Sequence, residues 1–352
     1  MQYETLRSET ARLKTAYHRV GRHGQPKLLL VHGDCSSSLF FLPLMQRLED
    51  RFDMIALDLR CFGETDPLPI DATRGLRDYS DDVDAFVRAI GWERFSLLGW
   101  SMGGGVAMQY AIDHAEKLQR VILVAPMSPF GFGGSYDEDG KTFEPVGLCA
   151  GAGTVTPLLL NALRYNDRSF ASHSISQTYV RTDYRIPADR MELFVSGFLS
   201  TKLGDGRYPG DVAPAAIWPF VATGMSGVNN AMSPKYCNLA AFAEIPEKPP
   251  VLWVRGDADV VICDNSICDM AYLGKIGIVP GYPGEIFYPP QPMLRQTHYV
   301  MDRYIENGGR VDEVVLHSGH GPFLDNEDAF IEVLLHFWEK TEERRERRRW
   351  FA

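Results

Sequence analysis

No stretch of this chain approaches the roughly 18 consecutive apolar residues that a membrane-spanning helix needs. Residues 1–21 are polar and charged, without the apolar segment of a secretory signal, so none is expected. Asn-x-Ser/Thr sequons are missing. The six cysteines, at 35, 61, 149, 237, 263 and 268, are scattered, which fits a reducing compartment better than a disulfide framework. Cys263 and Cys268 have no companion pair, so a zinc site there is not expected. Positive charge is also short: 46 Asp and Glu outweigh 36 Lys and Arg, for a net charge of −10. A nucleic-acid backbone would find too little to neutralise it. Neither G-x-G-x-x-G nor G-x-x-x-x-G-K-S/T occurs, which removes the common phosphate-binding loops. The absences leave a cytoplasmic protein with no cofactor, no metal, and neither nucleic acid nor membrane as partner.

What is present is a large apolar fraction, 45% of 352 residues, enough for one large α/β domain or for a core with an insertion. The most informative stretch is 94–106. An apolar run at 95–98 reads as a strand buried on both faces; it enters Gly99-Trp100-Ser101-Met102-Gly103, and helix-forming residues follow. A strand that turns into a helix within one residue strains that residue's backbone and lifts its side chain clear of the sheet. Glycines on either side let strand and helix pass closely. This is the G-x-S-x-G nucleophile elbow, and the new helix aims its free N–H groups at the place where an oxyanion would form.

Around it, strands expected at 13–20, 27–31, 54–57, 121–125, 251–254 and 311–316 alternate with helices at 39–48 (Ser38 available as N-cap), 79–90 and 293–307. That rhythm argues for a mostly parallel sheet covered by helices on both faces. It breaks after Pro126 and returns only at Pro250. The domain reading is therefore a core of 1–127 and 248–352, with a mainly helical cap at 128–247. The charge run 342–349 reads as a solvated helix end.

A serine hydroxyl needs a base. Among nine histidines, His320 follows the last strand, on the rim where Ser101 also sits. His317 should still belong to the strand, and His32 should prop the loop before the first core helix. The acid has candidates after the strand at 251–254: Asp259 is placed to reach sideways to His320, Asp257 fits a turn-capping role, and Asp264 stays open. Oxyanion donors are expected from the backbone N–H of Met102 and of Asp34, with Cys35 the alternative to Asp34. A carboxylate at 34 sits awkwardly beside a nascent anion.

These motifs resemble the α/β-hydrolase superfamily. His32-Gly33, Asp58-Leu-Arg-x-Phe-Gly63, Gly99-x-Ser-x-Gly103, Gly256-Asp-Ala-Asp259 and Gly319-His-Gly-Pro322 occur in that family's order and spacing, across about 13–127 and 248–340. The resemblance implies an α/β-hydrolase fold with an eight-stranded, mostly parallel sheet. It also implies Ser101 as nucleophile, Asp259 as acid, His320 as base, and a cap over the site. Cys61 stands where relatives usually have glycine, and Asp34 where they often have an apolar residue or Asn. Cap aromatics (Phe194, Phe198, Trp218, Phe220) favour an apolar, medium-sized substrate, with Trp100, Trp218 and Phe220 as candidate contacts; Asn229 and Asn230 either select polar groups or cap a helix. The expected activity is hydrolysis of a small-molecule ester or lactone. Alternatives are C–C bond hydrolysis of a vinylogous diketone and a ligand-binding protein without turnover; a homodimer stays open.

Overall fold

Near-continuous apolar segments form the strands at the centre of the molecule. In the computed structural model, which describes residues 4–350 and side chains through Glu343, eight strands make one sheet. They are β1 (Leu6–Glu9), β2 (Lys14–Val20), β3 (Lys27–Val31), β4 (Asp53–Leu57), β5 (Phe95–Trp100), β6 (Leu118–Val124), β7 (Val251–Gly256) and β8 (Val311–Leu316), in the order β1-β2-β4-β3-β5-β6-β7-β8. The first two pairings are antiparallel and the rest parallel. Every residue of β4 and β5 is buried, as parallel strands with covered faces require. β1 was not anticipated: its Leu-Arg-Ser-Glu is too polar to stand out, and it survives as an edge strand that buries little.

The covering helices are α1 (Leu42–Leu48), α2 (Arg77–Ala89), α3 (Met102–His114), α4 (Pro157–Tyr165), α5 (Arg168–Thr178), α6 (Ala188–Leu199), α7 (Val228–Ala231), α8 (Met270–Lys275), α9 (Met293–Glu306), α10 (Pro322–Asp325) and α11 (Glu327–Trp350). Between β6 and β7 lie α4 to α7 and two short antiparallel pairs, Ser135–Tyr136 with Lys141–Thr142 and Val212–Pro214 with Val221–Thr223. The side chains of 344–349, in the charge run, lie outside the described residues. Among the described residues, no helix is long and apolar enough to cross a membrane.

Register brings the chemistry to one edge. Gly99 of β5 pairs with Val31 and Leu123, Val254 of β7 with Val124, and Gly256 with Leu316, so the segments that follow β3, β5, β6, β7 and β8 leave along one rim. The loop after β3 is fixed by two buried side chains. Asp58, just past β4, accepts hydrogen bonds from the Ser38 N–H (2.9 Å) and hydroxyl (2.6 Å). Ser38 is thereby occupied, and the cap of the first helical turn is Ser37 instead, whose hydroxyl accepts from the Leu39 N–H. His32 is fully buried; its Nδ1 donates to the Gly33 carbonyl at 2.8 Å and its Nε2 accepts from the Leu59 N–H at 2.9 Å. Burial pushes its pKa down to about 4, so the ring stays neutral and acts as the expected prop.

One ion pair beneath this rim is enclosed on both sides. Arg60 donates from Nε and Nη2 to the two oxygens of Asp82 at 2.8 and 2.7 Å, and Arg12 adds a third bond to the same carboxylate. Both side chains of the Arg60–Asp82 pair are only 7% exposed. Removing one partner of such a pair leaves a buried charge. Asp82→Ala is expected to lower unfolding free energy by about 3–5 kcal/mol in denaturant titrations; a loss under about 1 kcal/mol would contradict this reading.

Candidate active site

The elbow follows from three close approaches. Ser101 has φ 57° and ψ −120°, a conformation costly for a residue with a Cβ. A Cβ at Gly99 would lie 2.1 Å from the Gly103 carbonyl oxygen, and one at Gly103 only 2.2 Å from that of Val31. One at Gly33 would meet the Ser101 Cβ at 2.8 Å, so the loop after β3 lies directly against the serine. The Ser101 backbone is tied down on both sides: its N–H donates to the Val124 carbonyl and its carbonyl accepts from the Met127 N–H, each at 3.0 Å.

His320 is 1% exposed, and its Nδ1 donates to Asp259 Oδ2 at 2.8 Å. The other Asp259 oxygen accepts from the N–H groups of Val261 (2.7 Å) and Ile262 (2.9 Å), which orients the carboxylate. The rival acids have other work. Asp257 accepts from the exposed His317 ring at 3.0 Å and from the Ser318 N–H, while Asp264 accepts from the Leu294 N–H at the start of α9. Ser101 and His320 line one cavity of about 170 Å³. Among the described residues the serine hydroxyl makes no hydrogen bond to the ring; such contacts are often long before substrate binds.

Asp34, Cys35, Trp100 and Met102 line the same cavity from the core, joined from the insertion by Leu159, Thr178, Tyr179, Phe198 and Met232. Trp100 is fully buried and its Nε1–H donates to the His320 carbonyl at 2.9 Å. Trp218 and Phe220 are not brought to the cavity. Trp218 sits in a separate apolar cluster with Phe143, Leu148 and Tyr288 and donates to the Pro280 carbonyl; Phe220 is 62% exposed. Their hairpin folds back on the 273–292 excursion rather than over the serine. Phe194 stacks on Phe40, and Asn230 cross-links the insertion, accepting from Ala152 N–H and donating to the Asp211 and Ser226 carbonyls.

Tyr179, just past α5, is the residue that sequence reasoning missed. Its hydroxyl donates to the carbonyls of Asp34 (2.9 Å) and Cys35 (3.2 Å), and its own carbonyl accepts from the Gly321 N–H at 2.8 Å. One residue thus ties the loop after β3 to the histidine loop. Its phenol pKa is raised by burial, so the hydroxyl remains a donor. No local pattern marks a tyrosine in an irregular insertion for this task.

An α/β hydrolase family model matches residues 28–333. The chain belongs to the α/β hydrolase family. Among solved structures, this α/β hydrolase is similar to the enol-lactonase of Burkholderia xenovorans LB400 (TM-score 0.59, 16% identity, 95% of this chain and 100% of that one). An esterase from Rhodococcus sp. ECU1013 is equally similar (TM-score 0.59, 16% identity, 95% and 98% covered). At such identities the likeness is one of fold. In sequence it is 30% identical over 177 residues to an Arabidopsis thaliana protein named 1-acylglycerol-3-phosphate O-acyltransferase, covering 44% of this chain and 41% of that protein. The chain spans less than half the length of the first such relatives.

Among the cavity groups, burial moves the Asp34 carboxyl into the neutral pH range. Burial raises its carboxyl pKa from 3.8 to about 7, opposed by hydrogen bonding from the Cys35 N–H, Tyr208 and Asn229. Between about pH 4 and 7 the folded protein therefore holds a proton that the unfolded chain has lost, and stability falls as pH rises through that window. Asp34→Asn removes the titrating group. Its stability relative to the wild type is expected to improve steadily from pH 4 to 8 in denaturant melts; a pH-independent difference would contradict the raised pKa.

Proposed function

We propose that this α/β hydrolase is a serine hydrolase that cleaves a carboxylic ester or lactone through an acyl-enzyme on Ser101. The observation that carries the reading is the His320 Nδ1–Asp259 Oδ2 bond of 2.8 Å, with ring and Ser101 hydroxyl lining one cavity. With Nδ1–H committed to Asp259, Nε2 of His320 carries the lone pair and acts as base. It takes the hydroxyl proton as Ser101 Oγ bonds the substrate carbonyl carbon. Met102 N–H and Asp34 N–H hold the resulting oxyanion, a role in which one donor is typically worth about 10²–10³ in rate. His320 then gives the proton to the departing oxygen, leaving the acyl group on Ser101. Water, deprotonated by the same ring, attacks that ester, and Ser101 recovers its proton.

Cavity size bounds the acyl group. A cavity of about 150 Å³ accommodates a benzene molecule, so the 170 Å³ here suits roughly six to eight heavy atoms. The walls, including Phe132, Leu159 and Phe198, favour an apolar group. The part-length likeness to plant proteins named acyltransferases makes an alcohol acceptor in place of water a competing outcome.

A p-nitrophenyl ester series from acetate to palmitate tests the reading, run beside macrolactones, a vinylogous diketone and a lysophospholipid acceptor. The expected optimum is a short to medium acyl chain. Ser101→Ala should remove all turnover above background and also remove labelling by a fluorophosphonate. Full ester turnover by Ser101→Ala, or turnover of the diketone alone, would overturn the proposal.

A further inference from the structure

Beyond the catalytic groups, the cavity offers a substrate few polar atoms. The Tyr179 hydroxyl is committed to the carbonyls of Asp34 and Cys35, and the Asp34 carboxyl is held by Asn229 and Tyr208. The thiols of Cys35 and Cys268 are weak hydrogen-bonding groups. Two lining hydroxyls remain, those of Ser174 and Thr178, four residues and so about one turn apart on α5 of the insertion.

The two hydroxyls are not equivalent. Thr178 Oγ1 donates its proton to the Ser174 carbonyl at 2.7 Å, as Ser176 Oγ does to the Ser172 carbonyl at 2.9 Å. Bonding back to the carbonyl four residues earlier is a common arrangement for Ser and Thr in helices. The Ser174 hydroxyl makes no hydrogen bond among the described residues, and the residue is half-buried rather than sealed. Among the lining groups outside the catalytic set, it is the oxygen donor still free to bond a substrate.

Its place in the cavity says which part of the substrate it meets. Trp100, Met127, Phe198 and Met232 are buried and form the floor, which takes the acyl group. Phe132, Leu159, Ser174 and Thr178 are only partly buried and form the rim, across which the alcohol half extends. The end of α5 borders the side where the leaving group departs. Tyr179, next along the chain, accepts from the Gly321 N–H beside the base, and its ring centre lies 6.0 Å from that of His320. Ser174 stands about 6 Å farther out than Thr178 along the helix axis.

We infer that the Ser174 hydroxyl is the donor of a leaving-group subsite, bonding an ether, ketone or second ester oxygen carried on the alcohol half. Its distance from the ring places that acceptor about four or five bonds from the scissile carbonyl carbon. The inference rests on the serine-hydrolase reading and narrows the substrate from a plain alkyl ester to the ester of an oxygen-bearing alcohol. A plain alkyl chain lying against Leu159 and Phe132 would strip water from the Ser174 hydroxyl and leave it unmatched, whereas an acceptor oxygen replaces that water.

The test uses the full chain and two pairs of esters of matched chain length, followed by titration of the released acid. 2-Ethoxyethyl butyrate against pentyl butyrate puts the acceptor on the alcohol half; pentyl 4-oxopentanoate against pentyl pentanoate puts it on the acyl half. The readout is the kcat/KM ratio within each pair, divided by the same ratio for hydroxide-catalysed hydrolysis to remove intrinsic reactivity. Wild type is expected to prefer the ethoxyethyl ester by about threefold to tenfold. Ser174→Ala should bring that ratio to one, and Ser176→Ala, which removes a hydroxyl from the same helix outside the cavity, should keep it. Fluorophosphonate labelling of Ser101 reports an intact centre in each variant, and Ser174→Cys, which keeps the side chain's size, decides if Ser174→Ala does not label. Four results overturn the subsite and leave the hydrolase reading standing: a wild-type ratio near one, a ratio that Ser174→Ala keeps while Ser101 labels, an equal loss in Ser176→Ala, or a preference confined to the acyl pair. No turnover of any ester by wild type, p-nitrophenyl butyrate included, overturns both.

Discussion

The backbone at Ser101 is the constraint on which the rest of the site depends. Its left-handed conformation costs of order 1–3 kcal/mol and persists only where the surroundings over-determine it. Here they do so through bonds from its own N–H and carbonyl to Val124 and Met127, and through three glycines that leave no room for a Cβ. The result points the side chain at the loop after β3 and into the cavity shared with His320. A looser turn would let the hydroxyl fall back toward the sheet, and the neighbouring groups would then have nothing to act on.

The insertion is more than a roof. Tyr179 bonds the two loops on which the proposed oxyanion donors and base depend, so its position bears on the geometry below it. By engaging the carbonyls of Asp34 and Cys35, it orients the peptide planes of that loop. Asn229 and Tyr208 of the insertion hydrogen-bond the Asp34 carboxyl of the loop after β3 across the same junction. The proposed chemistry thus depends on contacts made across one seam, and a shift of the insertion would disturb the loop after β3 and the histidine loop together.

What was legible from residues alone divides along physical lines. The parallel strands along the chain, the strand-to-helix turn at Ser101 and the placing of Asp259 and His320 just past two strand ends are readable because each needs a particular residue type at a short, fixed spacing from a strand end. β1 is not, since a four-residue edge strand buries too little to impose a pattern. Ser38 looked like a helix cap, but Asp58, 20 residues away, claims it, and Ser37 takes the role. Trp218 and Phe220 were misplaced because aromatic content says nothing of which wall a hairpin folds against. Tyr179 acts across 145 positions on Asp34, a distance over which no local signal survives. The awkwardness of a carboxylate at position 34, by contrast, is legible in the sequence, and burial raises its pKa to about 7.

The central claim is that Ser101, His320 and the two backbone donors act on one tetrahedral centre. A crystal structure of the protein inactivated with diethyl p-nitrophenyl phosphate tests it most directly. The expected adduct has phosphorus bonded to Ser101 Oγ, its oxygen within about 3 Å of both the Asp34 and Met102 nitrogens, and His320 Nε2 turned to the ester oxygens. An adduct on another residue, or one on Ser101 whose phosphoryl oxygen points away from both N–H groups, would contradict it.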